Sequence, residues 1–541
     1  MVELNVSEIY NKNTTFMDKS VASYIKNQIM NKRSKDFGGC WNSNILRMDP
    51  GSTCGLIYNL LVAYYFKDSS FYNSKNILKR TEAASYYILR SQRKDGTIDL
   101  PFSNVHSVPD LAFAIRPICE AYKLLQSCES KETKLLKQNL EKFIKKGANG
   151  LKLGEVHTPN HRWVVVAALG AVNSIFPNEE LRLVAEDFLS DGIDVNDEGM
   201  YYYEKSGIYS AISNDALIDI SNFWKKPHLL NFVRKNLDFM IYNVHPNGCI
   251  VTDFSRRQDR ANEMLLSPLW YKVYKKMALI DKNGLYSSMA KWIIDLNLRR
   301  NTPIGYEHKH EFEELFSLSS TPLPSSYVAF FPISKLVRIR NKNLSITVMA
   351  DNFDNFFSFR VGNIGVISTK IRYNLWGWRY FNPPRITRLN DKTFILKDNY
   401  FGKIVQAGNR EYQLRTNFLI NVKLVHLTNK VMMDINTTGE DNVVLRIDIK
   451  LKDEGTLVIG QQKINLKKMK DRGIPFVQKY ATVKDKNGGQ GVLISGGHSL
   501  EHNVEEWWRG YNPWDKLDKK GFTLNINLVT PVKHRITFKA F

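Results

Sequence analysis

The chain has 541 residues, of which 43 % are hydrophobic, 24 % charged and 12 % aromatic, a globular balance that excludes a disordered, collagen-like or coiled-coil chain. Lysine and arginine number 76 against 54 aspartates and glutamates, and the formal net charge of +22 points to an anionic partner: nucleic acid, acidic lipid or acidic polysaccharide. No apolar run reaches the length of a membrane span, and the chain is long enough for about two to four domains.

Residues 1–20 hold no apolar stretch of the kind an export signal needs. A cytoplasmic location is therefore expected, with a periplasmic or secreted one if a leader has been trimmed. Apolar residues recur at three- and four-residue spacing over 54–66, 80–92, 110–126, 134–146, 161–176, 209–224, 229–242, 261–280 and 285–297, which predicts helices. They come in pairs, and a longer polar loop precedes every second one. That pattern predicts an (α/α) toroid over 1–300, with inner helices opening at one mouth and outer helices returning the chain. Residues 301–325, with Pro303, Pro322 and Pro324, read as a linker. From 326 to 541 the runs are short, rich in Val, Ile, Phe and Thr, and separated by turns, which predicts a β-sandwich. The expected fold class is thus multidomain α and β. Cysteines at 40, 54, 119, 128 and 249 are odd in number and lack CxxC spacing, so buried free thiols are expected rather than disulfides or structural zinc.

The polar residues that open the inner helices carry the functional signal. Thr158 suits an N-cap and Pro159 the first helical position, which puts Asn160 and His161 in a first turn. Ser206 and Gly207 open the next inner helix, with Tyr209 in its first turn. His106 precedes the helix begun by Pro109, and Arg256, Arg257 and Arg260 precede the helix expected from Ala261. If the inner helices share a mouth, these residues converge where helix N-termini favour an anion. Each also has a structural explanation: a cap, a surface histidine, a packed tyrosine, a solvated arginine loop. Trp376, Trp378, Arg379 and Tyr380, followed by Phe381, form the densest aromatic cluster, and Trp507, Trp508, Tyr511 and Trp514 a second. Both suit sugar stacking or a sandwich core.

Three motifs resemble the heparinase II/III-like polysaccharide lyases, which include heparin/heparan and alginate lyases. They are Asn160-His161; the stretch Asp197-Glu198-Gly199 to Glu204-Lys205-Ser206 and Tyr209; and His245-Pro246-Asn247-Gly248 followed by Asp259-Arg260. The resemblance implies a helical toroid followed by antiparallel sheets. It implies that Asn160, with His161, neutralises a uronate carboxylate and that Tyr209 serves as acid/base. His106, Arg256, Arg257, Arg260, Trp376, Trp378, Arg379 and Tyr380 are the expected substrate-binding residues. The family's early β-domain histidine, which in some members accompanies a structural zinc, has no counterpart in 350–357. No metal or organic cofactor is expected, and a second base is sought in Tyr373, Tyr380 or His308.

The chemistry explains the residue types. Removing the C5 proton of a uronate builds negative charge beside a carboxylate, so donors that neutralise the carboxylate lower the barrier as an oxyanion hole does. A tyrosine, with an ordinary pKa near 10, needs cationic neighbours to serve as the base. The expected partner is an acidic polysaccharide such as a glycosaminoglycan or alginate, cleaved by β-elimination. Competing classes are a glycoside hydrolase using two of Asp110, Asp197, Glu198, Glu204 and Asp215, and a non-catalytic polysaccharide-binding protein. Nucleic-acid binding has charge in its favour but no motif.

Overall fold

The computed structural model describes residues 5–43, 45–100, 104–128, 130–352, 355–375, 377–469, 472–498 and 520–541. Helices fill the N-terminal region and strands the C-terminal region. The helices are α1 (Val6–Lys26), α2 (Pro50–Tyr65), α3 (Lys75–Ser91), α4 (Val108–Ser127), α5 (Lys134–Leu151), α6 (Pro159–Asn173), α7 (Glu179–Ser190), α8 (Gly207–Phe223), α9 (Leu230–Tyr242), α10 (Pro268–Asp281), α11 (Gly284–Leu298) and α12 (Lys309–Ser317). From α2 to α10 the even-numbered helices pack against one another in succession, and each is followed by an odd-numbered partner. Sequence explains the difference in role. In α6 every residue from Trp163 to Val172 is buried, as suits a helix apolar all round. In α5 only one stripe is buried, including Leu136, Leu140, Phe143 and Ile144, so this helix is amphipathic.

Several details depart from the periodicity. Helices α1 and α7 lie outside the expected stretches. Helix α10 starts at Pro268 rather than Ala261, because Ser267-Pro268 supplies the stronger start signal. The stretch read as a linker carries α12, whose Phe312 and Leu315 are fully buried in the helical core. Its prolines flank that helix without interrupting it. Two small ribbons, Trp41–Asn42 with Arg47–Met48 and Ile98–Leu100 with Asn104–Ser107, are too short for a periodicity argument. Among the cysteines Cys128 is exposed, contrary to expectation, and the other four are buried.

Among the described residues, the strands from Ser326 onward form two nine-stranded sheets. One runs in the order Gly473–Pro475, Phe522–Val529, Val444–Leu451, Ile364–Asn374, Phe357–Val361, Leu344–Met349, Leu336–Asn341, Ser326–Phe331, with Trp378–Tyr380 paired to Ile364–Asn374. The other runs Ile386–Asn390, Thr393–Ala407, Arg410–Leu427, Lys430–Thr438, Lys533–Ala540, Gly491–Ser495, Tyr480–Lys484, Thr456–Ile459, Gln462–Asn465. Pairing is antiparallel except between Gly473–Pro475 and Phe522–Val529. Residues from both sheets share one apolar core. Alternate residues of Lys430–Thr438, namely Val431, Met433 and Ile435, are buried, the period-two pattern of a strand with one covered face.

Residues 243–263 join the helices to the first sheet. The Asp253 carboxylate accepts from Asn355 Nδ2 (2.8 Å) and Ser358 Oγ (3.1 Å), and His245 Nδ1 lies 2.9 Å from Ser345 Oγ. Glu263 pairs with Arg360 (2.8 Å) and Lys452 (2.7 Å). Arg338 is fully buried and donates to the Tyr242 carbonyl at the end of α9 (3.3 Å) as well as to Ser345 Oγ (2.8 Å) within the sheet. Glu198 accepts from the backbone N–H groups of Ile333 (3.0 Å) and Ser334 (2.7 Å). These contacts hold the loops at the helix N-termini against the sheet. Among the described residues no helix is long and apolar enough to cross a membrane.

Candidate active site

The start of α6 sets the first element. Thr158 has the extended backbone of an N-cap, and Pro159 occupies the first helical position. The Thr158 hydroxyl does not cap the backbone; it donates to Asn160 Oδ1 at 2.7 Å. That bond fixes which side of the amide carries the NH2 group. Asn160 is 1 % exposed, and its Nδ2 has no hydrogen-bond partner among the described residues. An unpaired buried donor costs about 1–3 kcal/mol, and this amide is left with its N–H groups available to an acceptor.

The start of α8 sets the second. Ser206 Oγ accepts from the N–H groups of Ile208 and Tyr209, both at 3.3 Å, and donates to Asp259 Oδ2 at 2.9 Å. Asp259 also accepts from Gly207 N (3.2 Å) and from Ser255 Oγ. A buried carboxylate on a helix N-terminus is electrostatically favoured, and here it clasps the 255–260 loop to the helix that carries Tyr209. Upstream, Gly199 has φ +96°, and a Cβ there would lie 2.0 Å from the Lys235 carbonyl oxygen. Only glycine fits the turn that leads into residues 201–206.

The two helix starts are bridged. Glu204 is 2 % exposed; its Oε2 accepts from Asn160 N (3.2 Å), and its Oε1 lies 3.2 Å from Arg257 Nη1. The Arg257 guanidinium sits 4.8 Å from the centre of the Tyr209 ring, and Gln258 Nε2 donates to Tyr209 Oη. Asn160, Glu204, Arg257, Tyr209 and Gln258 therefore form one contiguous chain of contacts. Burial pushes the Glu204 carboxyl above its ordinary range, opposed by the Asn160 N–H and Arg257. Burial likewise pushes the His161 imidazole down to about 4; Asp110 opposes this, and His157 and Arg257 add to it. His161 is thus neutral at neutral pH and can act as a donor or acceptor only. Its ring packs edge-on to Phe113 (6.1 Å) and His157 (6.0 Å).

The other expected site residues divide. Arg257 joins the cluster. Arg256 instead reaches Asp351 (3.6 Å), and Arg260, largely buried, donates to Asn352 Oδ1 (2.7 Å). None of the three precedes a long helix directly: Gln258–Ala261 is a single 3-10 turn, and the chain runs on to Pro268. His106 is exposed and bound to Asp95 (2.6 Å) in its own loop. Arg379 donates to the Leu375 carbonyl and to Tyr400 Oη, both at 2.8 Å, and stacks 3.9 Å over the Tyr400 ring. Trp378 and Tyr380 are half-buried on the same short strand. Trp376 and the 507–514 aromatic cluster lie outside the described residues.

Among the proposed second bases, Tyr373 is buried and its phenol is pushed up by burial. His308 opens α12, stacked on Phe66. The stretch that would correspond to the missing histidine holds Asp351, which contacts Lys335 (3.1 Å) and Arg256, and Asn352, whose amide donates to the Asp253 carbonyl (2.8 Å). Among the described residues, one carboxylate already shared by two cations beside a bonded amide does not supply the four ligands that a structural zinc takes.

The carboxylates considered for hydrolysis are placed as follows. Asp215 is buried with Arg116 (2.8 Å) and Lys272 (2.7 Å); burial raises its pKa, but those cations outweigh it and hold it well below the usual range. Asp110 accepts from Asn104 (3.1 Å), Asp197 is exposed and pairs with Lys235 (3.0 Å), and Glu198 caps the 333–334 backbone. Sequence reasoning missed the hydroxyl of Thr158 as the orienter of Asn160, and it missed Gln258. The one signal for Gln258 was its place beside Arg257.

No family model and no curated relative matches the chain. Among solved structures it is similar to Paenibacillus xanthan lyase, at 9 % identity and a TM-score of 0.64, with 99 % of this chain and 57 % of that one covered. It thus spans little more than half the length of that protein. It is also similar to the Streptomyces coelicolor chondroitin AC lyase (9 % identity, TM-score 0.57, 98 % and 79 % covered) and to a mutant of the heparan sulfate lyase HepC of Pedobacter heparinus (11 %, 0.51, 98 % and 83 %). The fold of this chain, helices followed by sheets, is the fold of solved polysaccharide lyases.

Proposed function

We propose that the chain is a polysaccharide lyase that cleaves uronic-acid-containing acidic glycans by β-elimination, on a helical toroid followed by a β-sandwich. The single observation that carries the reading is the buried, oriented and unpaired Asn160 amide, joined through Glu204 and Arg257 to Tyr209. The fold shared with lyases of xanthan, chondroitin and heparan sulfate supports it.

The amide Nδ2 donates to the uronate carboxylate, with His161 as a neutral second donor, and so offsets the charge that develops when C5 loses its proton. The Tyr209 phenolate takes that proton; Arg257 on the ring face and the Gln258 amide at the oxygen set its electrostatic surroundings. The electron pair released at C5 forms the C4–C5 double bond, the C4–O4 bond breaks, and the leaving O4 takes the proton back from the phenol. Charge balances without an added group.

The test is a screen of heparan sulfate, hyaluronan, chondroitin, alginate and xanthan for ultraviolet absorbance from an unsaturated uronate. Absorbance with at least one polymer, lost in both Asn160→Ala and Tyr209→Phe with unchanged melting, is expected. New reducing ends without absorbance would favour the hydrolase. Near-native rates in both variants would reject the site.

A further inference from the structure

Beside the Tyr209 cluster lies a cavity of about 410 Å³ between the loop leading into α8, the 254–260 loop and the edge of the first sheet. Lys205, Arg256, Arg260 and Lys335 line it, with Asp351 as its one carboxylate among the described residues and Asn352 beside them. Among the described residues, Lys205, Arg256 and Lys335 around Asp351 leave an excess of positive charge in a recess, where Coulomb attraction is stronger than on open surface. Two pairs of consecutive residues divide between the two sites. Glu204 holds Asn160 and Arg257, whereas Lys205 lines the cavity; Arg257 stacks on Tyr209, whereas Arg256 reaches Asp351.

The backbone enforces this division. Lys205 has φ +40°, in the left-handed region, as do Lys335 and Asp351 on the other wall of the cavity. The Arg256 N–H donates to the Lys205 carbonyl (3.0 Å), so two like charges are held side by side. Burial, and then Arg256, depress the Lys205 ammonium pKa, with Asp351 opposing. An anion entering the cavity relieves that repulsion.

We infer that this cavity is a second anion subsite, which takes an acidic group, sulfate ester or carboxylate, on the sugar next to the uronate that is cleaved. Asp351 is its resident counter-ion, shared between Lys335 and Arg256 until the ligand's anion displaces it. The inference rests on the lyase reading for the word "next" and makes the preferred substrate a glycan with acidic groups on adjacent sugars.

Binding is measured calorimetrically in a Tyr209→Phe background, so turnover is not required. The probes are three tetrasaccharides: one from heparan sulfate with sulfated glucosamine, one from alginate with a carboxylate on every sugar, and one from hyaluronan with a neutral neighbour. At least one acidic-neighbour probe should bind roughly tenfold tighter than the hyaluronan probe, the size of one charge-assisted contact. Which of the two does so identifies the anion. Adding Lys335→Gln should remove that advantage, Lys335→Arg should restore it, and Asp351→Asn should enlarge it. Equal binding of all three probes, no binding of any, or an equal loss for all three with Lys335→Gln would overturn the subsite. A preference that depends on Lys335 in a chain that cleaves nothing would reject the lyase reading alone.

Discussion

Glu204 is the joint between the two halves of the proposed site, and Glu204→Gln tests that role with little change in shape. Glutamine keeps an oxygen for the Asn160 N–H, now 3.2 Å from the carboxylate, but removes the charge that holds Arg257. Unit charges 3.2 Å apart attract by roughly 5 kcal/mol at an effective dielectric of about 20 and by about 1 kcal/mol in water. The Arg257 side chain is 30 % exposed, so water recovers part of its loss. Burial already disfavours the Glu204 carboxylate, whose raised pKa means that stability is complete below the ordinary glutamate range and falls as pH rises through the folded pKa. The amide removes that penalty. The net loss in holding Arg257 against Tyr209 is then about 1–2 kcal/mol, which corresponds to a fall in kcat of roughly five- to thirtyfold. The assay is kcat and KM from ultraviolet absorbance on the polymer found in the screen, beside a thermal melt. A drop in kcat with KM and melting little changed is expected. An unchanged kcat, or a drop matched by unfolding, would refute the role of Glu204 as the joint.

Three further outcomes follow from the same geometry. Asn160→Ala removes the unpaired amide and should lower kcat by about a hundredfold or more at nearly constant melting temperature, read by steady-state kinetics. Asp259→Ala leaves the Ser206 hydroxyl, the Gly207 N–H and the Ser255 hydroxyl without their acceptor and should destabilise the chain by about 2–4 kcal/mol in chemical denaturation. His161 is depressed from 6.5 to about 4, so the unfolded chain binds its proton first. Its contribution to stability is complete above pH 6.5 and is lost as pH falls toward 4. Melting curves across that window should therefore decline less steeply in His161→Leu than in the native chain, and equal slopes would contradict the assignment.

What the sequence made legible was local. Proline at a first helical position and serine at a cap located the starts of α6 and α8 within two residues, because those signals depend on a single turn of backbone. The change to short runs rich in Val, Ile, Phe and Thr marked where strands take over, near residue 326, but not the first two strands, Ser326–Phe331 and Leu336–Asn341. What it could not reach were contacts set by packing across long separations. The pairing of Glu204 with Asn160 spans 44 residues and that of Ser206 with Asp259 spans 53. The arginines were expected at the start of a helix from Ala261; they lie in a loop because Pro268 competes better for the start. Helix α12 was hidden by the prolines around it, although Phe312 and Leu315 carry a helical spacing of three.

The central claim is elimination at a uronate by Tyr209, and the mass of the product tests it most directly. The native chain, incubated with the polymer it degrades, should release oligosaccharides lighter by one water than the hydrolytic product, with the double bond at the new non-reducing end. Tyr209→Phe should release none above background. Products that have gained a full water, or an active Tyr209→Phe chain, would contradict the account.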